Sequence, residues 1–346
     1  MEQVALEQRS PPRETTRHAL DILLRFQSVF GLIVILVLAA ILSPVRNGAN
    51  VFLEPRNLLN IVRFASENGI IAIGVTLVIL TGGIDLSVGA VLALCAVGAA
   101  AFMTRYDLDT APTVLLVLAL GCFVGIVNGL VTTRFNIQSF ITTLAMLGVA
   151  RGVASLWSGG YAIPLAFGEG VGLAPPSFKA IFGGQVNLTG LEIPAPVFYF
   201  LGVGLIASFL LRRTGFGRHV YAVGGNETAA RLSGVNVDRV KVIVFAISGL
   251  LAGLAALLHA ALVNQGSHID GSGYELNAIA AVVIGGTSLF GGEGTIVGTI
   301  IGALLMAVIR NGLTLMHVTA FYQQIVIGVV IILAVLIDRL RRGRSS

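Results

Sequence analysis

The chain has 346 residues, 55% of them hydrophobic and only 11% charged; soluble domains carry about a quarter charged residues, so the composition excludes an ordinary soluble protein and points to a membrane protein. The net charge of +5 makes no case for nucleic-acid binding, because the basic residues sit in the tails and between the apolar runs. Cys95 and Cys122 fall inside apolar runs and read as small core residues rather than a disulfide, and the five histidines (His18, His219, His259, His268, His317) show no metal-ligand spacing.

The first 27 residues hold four arginines, balanced by Glu2, Glu7, Glu14 and Asp21, and lead into the run SVFGLIVILVLAAIL. That polar lead is long for a cleaved signal peptide, so an uncleaved first span with its N-terminus in the cytoplasm is expected. A spanning helix needs about 20 apolar residues. Runs of this kind lie near 28–44, 60–81, 86–103, 113–132, 138–157, 195–211, 242–263, 275–290, 294–311 and 322–338. The expected fold is an all-α polytopic membrane protein of about ten transmembrane helices, with both termini cytoplasmic. It divides into a tail at 1–27, a transmembrane domain at 28–338 and a basic tail at 339–346.

Orientation follows from lysine and arginine in the connections. Segments 1–27, 212–241 and 339–346, with the turn at Arg134, hold fifteen of the twenty-two basic residues and are assigned to the cytoplasm. The long external connection 158–194 has Lys179 as its only basic residue.

Two of the spans are broken by glycine, in TGGIDLSVG (81–89) and IGGTSLFGGEGT (284–295), and Asn128-Gly129-Leu130 and Asn311-Gly312-Leu313 follow them in turn. The correspondence suggests two related halves with interrupted helices, the arrangement transporters use to place a pathway near the bilayer midplane. Gly82, Gly83, Asp85, Ser87, Asn128, Gly285 and Gly286 are therefore candidates for the translocation path. Asp85 has two readings. As a path residue it accepts hydrogen bonds from solute; as a structural residue, it or Ser87 accepts the backbone N–H groups left orphaned where a helix restarts after Gly82-Gly83, and the structural reading is preferred. Asn68, Asn128, Gln138, Thr142, Thr143, Asn277, Gln323 and Gln324 are polar residues that line a path or bind helices together. Four-residue glycine spacings (Gly121, Gly125, Gly129; Gly148, Gly152; Gly249, Gly253; Gly294, Gly298, Gly302) mark close helix contacts, within the subunit or between two.

The segment 212–241 is polar in an otherwise oily chain. Asn226 is placed to cap a short helix, Glu227 suits its first turn, and Gly234 supplies a left-handed stop. Two turns are too short to stand alone in water, so the helix rests on the membrane face or on a partner. Ala229 and Ala230 are expected on a face that suits close docking.

Here a resemblance enters. Thr228-Ala229-Ala230, three residues, then Gly234 resembles the Glu-Ala-Ala-x-x-x-Gly loop of ABC importer permeases, which carries the helix that docks on a cytoplasmic ATPase. With ILTGGIDLSVGAVLAL, GIVNGLV, FITTLAML, GRHVYAVGGNETAARLSGV and VVIGGTSLFGGEGTIVGTIIGALL, the chain resembles the ribose-type sugar permease family from about residue 55 to its end. Thr228 stands where the motif has an acidic residue, with Glu227 adjacent.

The resemblance implies a permease subunit that pairs with a second permease copy, with cytoplasmic ABC ATPase subunits and with a soluble extracytoplasmic sugar-binding protein, in a bacterial inner membrane. Asn226, Glu227, Thr228, Ala229, Ala230, Arg231 and Gly234 would then form the coupling segment. Neither lysine, Lys179 nor Lys241, follows a glycine, so the sequence lacks a phosphate-binding Gly-Lys-Ser/Thr loop. No cofactor is expected on this chain, and ATP is used by its partner. An ion-coupled secondary transporter and an ABC permease for a non-sugar solute are the alternatives; a membrane enzyme lacks any nucleophile–base or metal constellation.

Overall fold

The structure, a computed structural model, describes residues 27–342 except 47 and 189. The N-terminal tail as far as residue 26, and residues 343–346 of the basic tail, lie outside the described residues. The chain is a helical membrane protein. In order, its helices are α1 (Gln27–Leu42), α2 (Pro55–Leu80), α3 (Val88–Thr104), α4 (Thr110–Arg134), α5 (Ser139–Ser158), α6 (Pro176–Gly183), α7 (Ala195–Arg213), α8 (Gly215–Gly225), α9 (Glu227–Leu232), α10 (Val237–Val263), α11 (Tyr274–Ile284), α12 (Ile296–Leu315) and α13 (Ala320–Arg342).

Each of the ten apolar runs carries a helix, but the helices differ in kind. Six (α2, α4, α5, α7, α10 and α12) are long and apolar enough to cross a membrane. The run expected at 275–290 is cut short, because α11 ends at Ile284 and Gly285 and Gly286 turn the chain. Its 11 residues reach about 16 Å at 1.5 Å per residue, against a hydrocarbon core of about 30 Å. By contrast the 26 residues of α2 reach about 39 Å.

The centre of the molecule is built from α2, α3 and α10. Every α3 residue from Val88 to Ala101 is buried, as expected of a helix that is apolar all round. Large apolar side chains on α4, α5, α7 and α13, such as Phe123, Leu156, Phe209 and Ile332, face outward, where they meet lipid or another subunit. Glycine brings the inner helices together. A Cβ on Gly121 of α4 would press on the Gly249 carbonyl of α10, and one on Gly249 would press on the Gly121 carbonyl; Gly125 meets Phe245 and Gly129 meets Val242 in the same way. Gly298 and Gly302 of α12 meet Gly285 and Ala281 along α11. These stripes are internal contacts. Gly148 and Gly152 of α5 have nothing within 4 Å.

The described residues of the connection at 159–194 close one end of the bundle. Strand β1 (Ile163–Pro164) pairs antiparallel with β4 (Gln265–Gly266), β2 (Gln185–Leu188) pairs with β3 (Leu191–Pro194), and Lys179 of α6 donates to the Ala261 carbonyl and Asn264 Oδ1. At this end His259 of α10 lies between Glu67 Oε2 of α2 at 3.1 Å and Asp270 Oδ1 at 3.6 Å. Arg151 of α5 donates to the carbonyls of His268 and Asp270 at 2.6 and 2.7 Å. The opposite end carries α8, α9 and both glycine breaks.

Candidate functional site

The first break, residues 81–87, begins where α2 runs out. Thr81 N–H turns back to the Val78 carbonyl, and Gly82 takes φ +75°, a conformation that a side chain resists. The extended residues that follow are tied to three helices by side chains. Ile84 N–H donates to Ser139 Oγ (3.0 Å) and Leu86 N–H to Thr143 Oγ1 (3.1 Å), both on α5. Asp85 is 1% exposed, and its Oδ1 accepts Ser87 N–H (3.0 Å) and the Ser87 hydroxyl (2.7 Å). The Ser248 hydroxyl of α10 donates to Oδ2 (2.9 Å), and Asn128 Nδ2 of α4 donates to Ser87 Oγ (2.9 Å). The carboxylate thus serves the backbone and hydroxyl groups at the restart of α3, which answers the high cost of a buried unpaired charge.

The second break, residues 285–295, is made of backbone laid on backbone. Gly285 sits against the Gly298 carbonyl, Gly286 takes φ +89°, Ser288 N–H donates to the Glu293 carbonyl, and Thr295 Oγ1 caps α12 by accepting Gly298 N–H (3.0 Å). Its tip reaches the first break: Gly292 N–H donates to the Leu80 carbonyl at 3.0 Å. The end of α8 fits into the crossing. A Cβ on Gly224 would collide with the Leu80 carbonyl and Gly292 N–H, and one on Gly291 would come 2.8 Å from Gly82 N and 3.1 Å from Gly224 Cα. Tyr221 of α8 donates its hydroxyl to the Gly294 carbonyl (2.9 Å). Three glycine-containing segments therefore meet at one point, and no side chain fits between them.

Helix α9 follows at once. Asn226 Oδ1 accepts Ala229 N–H (2.9 Å) as its cap, and Gly234 at φ +84° ends it, with Gly234 N–H donating to the Arg231 carbonyl and Val235 N–H to the Ala230 carbonyl. Ion pairs fix it to α10. Glu227 meets Lys241 (2.7 Å) and Arg231 (3.4 Å), and Arg231 also meets Asp238 (2.8 Å). Partial burial pushes the Glu227 carboxyl up, but Lys241 and Arg231 outweigh it and hold it below the ordinary carboxylate range. Ala230 differs from expectation. It is 5% exposed and points into the protein, because the six-residue helix must bury one small side chain to sit on α8 and α10. Thr228 and Ala229 remain on the outer face, and the large apolar group there is Leu232, 85% exposed.

Known proteins of this shape of sequence are transporters. Residues 57–335 match the family described as "Branched-chain amino acid transport system / permease component". The ribose import permease protein RbsC of Escherichia coli K12 is 43% identical over 316 residues, covering 91% of this chain and 94% of the relative. RbsC of Bacillus subtilis 168 is 42% identical over 309 residues (89% and 91%), and the xylose transport system permease protein XylH of E. coli K12 is 35% identical over 344 (85% and 87%). The chain belongs to this permease family. Within it, the chain is of the ribose type. No solved structure matches it.

In this permease the polar residues expected along the spans fall into two groups. Asn128, Gln138, Thr142 and Thr143 surround the first break, where Gln138 and Gly82 line a pocket with Glu227 and Lys241. Thr143 is bound into the break, accepting Leu86 N–H and donating to the Ile84 carbonyl. Asn68, Asn277, Gln323 and Gln324 gather instead near the far end, between α2, α11, α12 and α13. Ser139, Ser248, Gly224, Lys241 and Leu232 belong to the site but are not legible as such in the sequence. Gly224-Gly225 directly before the Asn226 cap was the available signal for the junction.

Proposed function

We propose that this permease is the membrane-spanning subunit of an ATP-driven, binding-protein-dependent importer of a monosaccharide. It works as one of two copies, with a cytoplasmic ATPase and a soluble extracytoplasmic sugar-binding protein, in a bacterial inner membrane. Ten spans in two related halves with both termini cytoplasmic fit the basic residues of the α8–α9 segment, and on this reading that segment lies beside the ATPase. One observation carries the reading: a capped short helix with Leu232 exposed to 85% follows directly on the residue wedged between the two glycine breaks. Leu232, Thr228 and Ala229 form a surface for the ATPase. A push on it passes through Gly224 to the ends of α2 and α12, which border the path. Asp85 is then a positioning residue that holds the first break, rather than a solute ligand.

The sugar assignment rests on relatives named for ribose and xylose import, whereas the family description names branched-chain amino acids. Reconstitution of the permease with a cognate ATPase and binding protein decides between them. D-Ribose uptake that requires ATP hydrolysis, with no uptake of L-leucine, is the expected result; uptake by the permease alone, driven by an ion gradient, contradicts the coupling.

A further inference from the structure

The far end of the molecule holds a cavity of about 310 Å³ between α11, α12 and α13, whose polar lining residues are Ser272, Asn277, Arg310, Gln323 and Gln324. A narrower cleft shares Asn277 and Arg310 with it and reaches Asn68 of α2. The space is at the lower end of the ~300–1,000 Å³ typical of small-molecule sites.

Polar side chains in a membrane protein commonly tie helices together, and one pair here does so. Asn57 and Asn311 exchange hydrogen bonds between α2 and α12 at 3.1 and 2.8 Å. Arg310, the preceding residue on α12, behaves differently. Its guanidinium has no hydrogen-bond or ion-pair partner among the described residues and lies 5.9 Å over the Phe64 ring. The amides of half-buried Asn277 and exposed Gln324 have no protein partner among the described residues, and Asn68 Oδ1 is buried without one. Gln323 spends its amide nitrogen on Thr314 Oγ1 (3.2 Å) and the Val318 carbonyl (2.9 Å), which leaves its carbonyl oxygen toward the cavity. Polar groups from α2, α11, α12 and α13 thus converge on two adjoining spaces: Arg310 and Gln324 are exposed, Asn277 is half-buried, and Asn68 Oδ1 is buried without a partner, which is costly.

We infer that this cavity is a binding station for a neutral polyhydroxy solute, one sugar ring in size. The inference rests on the importer reading and names the residues that meet its cargo. A hydroxyl both donates and accepts, and a carboxamide offers both functions side by side. Arg310 supplies fixed donors for a ring or hydroxyl oxygen, while Leu276, Ala320 and Ile327 offer apolar wall to C–H groups. The lining contains no carboxylate. An amino acid could pair its carboxylate with Arg310 but would leave its ammonium group without a carboxylate partner, whereas a neutral sugar meets the amides and the guanidinium through hydroxyls alone.

The test uses the whole transporter, permease with ATPase and binding protein in proteoliposomes, with D-ribose and D-xylose as probes. Asn277→Leu and Gln324→Leu keep side-chain size and remove the hydrogen-bonding groups. Each is expected to raise the KM for D-ribose by about tenfold, the effect of one or two lost hydrogen bonds. The ratio of D-ribose to D-xylose uptake should change, while ATPase co-purification and binding-protein-stimulated hydrolysis stay as in wild type. Gln324→Asn should recover part of the loss. Gln324 is on an exposed face, so its variants decide the matter even where Asn277→Leu lowers the folded yield. Wild-type KM and an unchanged sugar ratio in Gln324→Leu overturn the inference, as does a loss of uptake that only tracks a loss of stimulated hydrolysis. Failure of the importer reading looks different: the wild-type complex itself then takes up neither sugar.

Discussion

The two glycine breaks share a Gly-Gly sequence and solve the same problem by opposite means. In the first, side chains from three helices hold the extended residues: Ser139 and Thr143 of α5, Asn128 of α4 and Ser248 of α10 all bond to the loop or to Asp85 and Ser87. In the second, glycines lie against other backbone, at Gly285 on Gly298, Gly292 on Leu80 and Gly291 beside Gly224. A hydrogen-bonded network of side chains fixes a loop in one place, whereas close backbone contact transmits displacement from whatever it touches. On the proposed mechanism the first break is the anchored wall of the site and the second the follower, with α8 against the Leu80 and Gly292 ends of both.

The contrast is broken most severely at the contact point. Gly224→Val puts a branched side chain into the Leu80 carbonyl and Gly292 N–H. The expected cost exceeds about 4 kcal/mol, with loss of the monodisperse peak in detergent and of all uptake; a folded, transporting variant removes α8 from the mechanism. Asp85→Ala comes next, since it strips the acceptor from Ser87 N–H and two hydroxyls in a buried site. A loss of about 3 kcal/mol is expected, read as a drop in thermal midpoint. Asp85→Asn keeps the Oδ1 acceptor and lets the Ser248 hydroxyl turn to accept, so about 1 kcal/mol is expected. Equal losses in the two variants would mean that the negative charge itself is needed. Tyr221→Phe removes a single bond from α8 to the Gly294 carbonyl, and about 1 kcal/mol with a partial fall in uptake is expected.

The smallest effect is at α9. Glu227 is held below the ordinary carboxylate range, so its ion pairs contribute above that range and are lost as pH falls through its lowered value. The carboxylate side chain is 44% exposed, so solvent screening limits the contribution to a few tenths of a kcal/mol. Hydrogen exchange in α9 should be unchanged between neutral pH and the ordinary carboxylate range and should quicken only below it, after correction for intrinsic rates. In Glu227→Gln that acid step should vanish.

Much of this was legible in the sequence, and its limits have physical causes. Apolar runs of sufficient length located every long helix, because lipid imposes one hydropathy rule on all of them. The Asn226 cap and the Gly234 stop were readable because capping is local chemistry. The glycine break at 284–295 was read, but the run drawn as 275–290 overran it, since Gly285-Gly286 could be carried within an apolar run or end it, and packing on Gly298 decides. The orientation of Ala230 was missed because a six-residue helix has too few positions to reveal its buried face. The junction of Leu80, Gly224 and Gly292 left only the Gly224-Gly225 pair as a signal, because it joins residues far apart in sequence through backbone atoms, which leave no side-chain pattern. The outer cavity lay between these cases, its amides legible as polar residues but their convergence legible only in the fold.

The central claim is that α9 presents a docking surface and passes force through α8 to both breaks. Leu232→Asp tests it most directly, because Leu232 is 85% exposed and the change leaves the packing of the permease intact. The measurement is co-purification of the partner ATPase with the variant permease, beside ATP-dependent uptake of D-ribose in proteoliposomes. The account predicts a permease with wild-type yield and thermal midpoint that no longer retains the ATPase and takes up no sugar. Full ATPase retention together with wild-type uptake would contradict it.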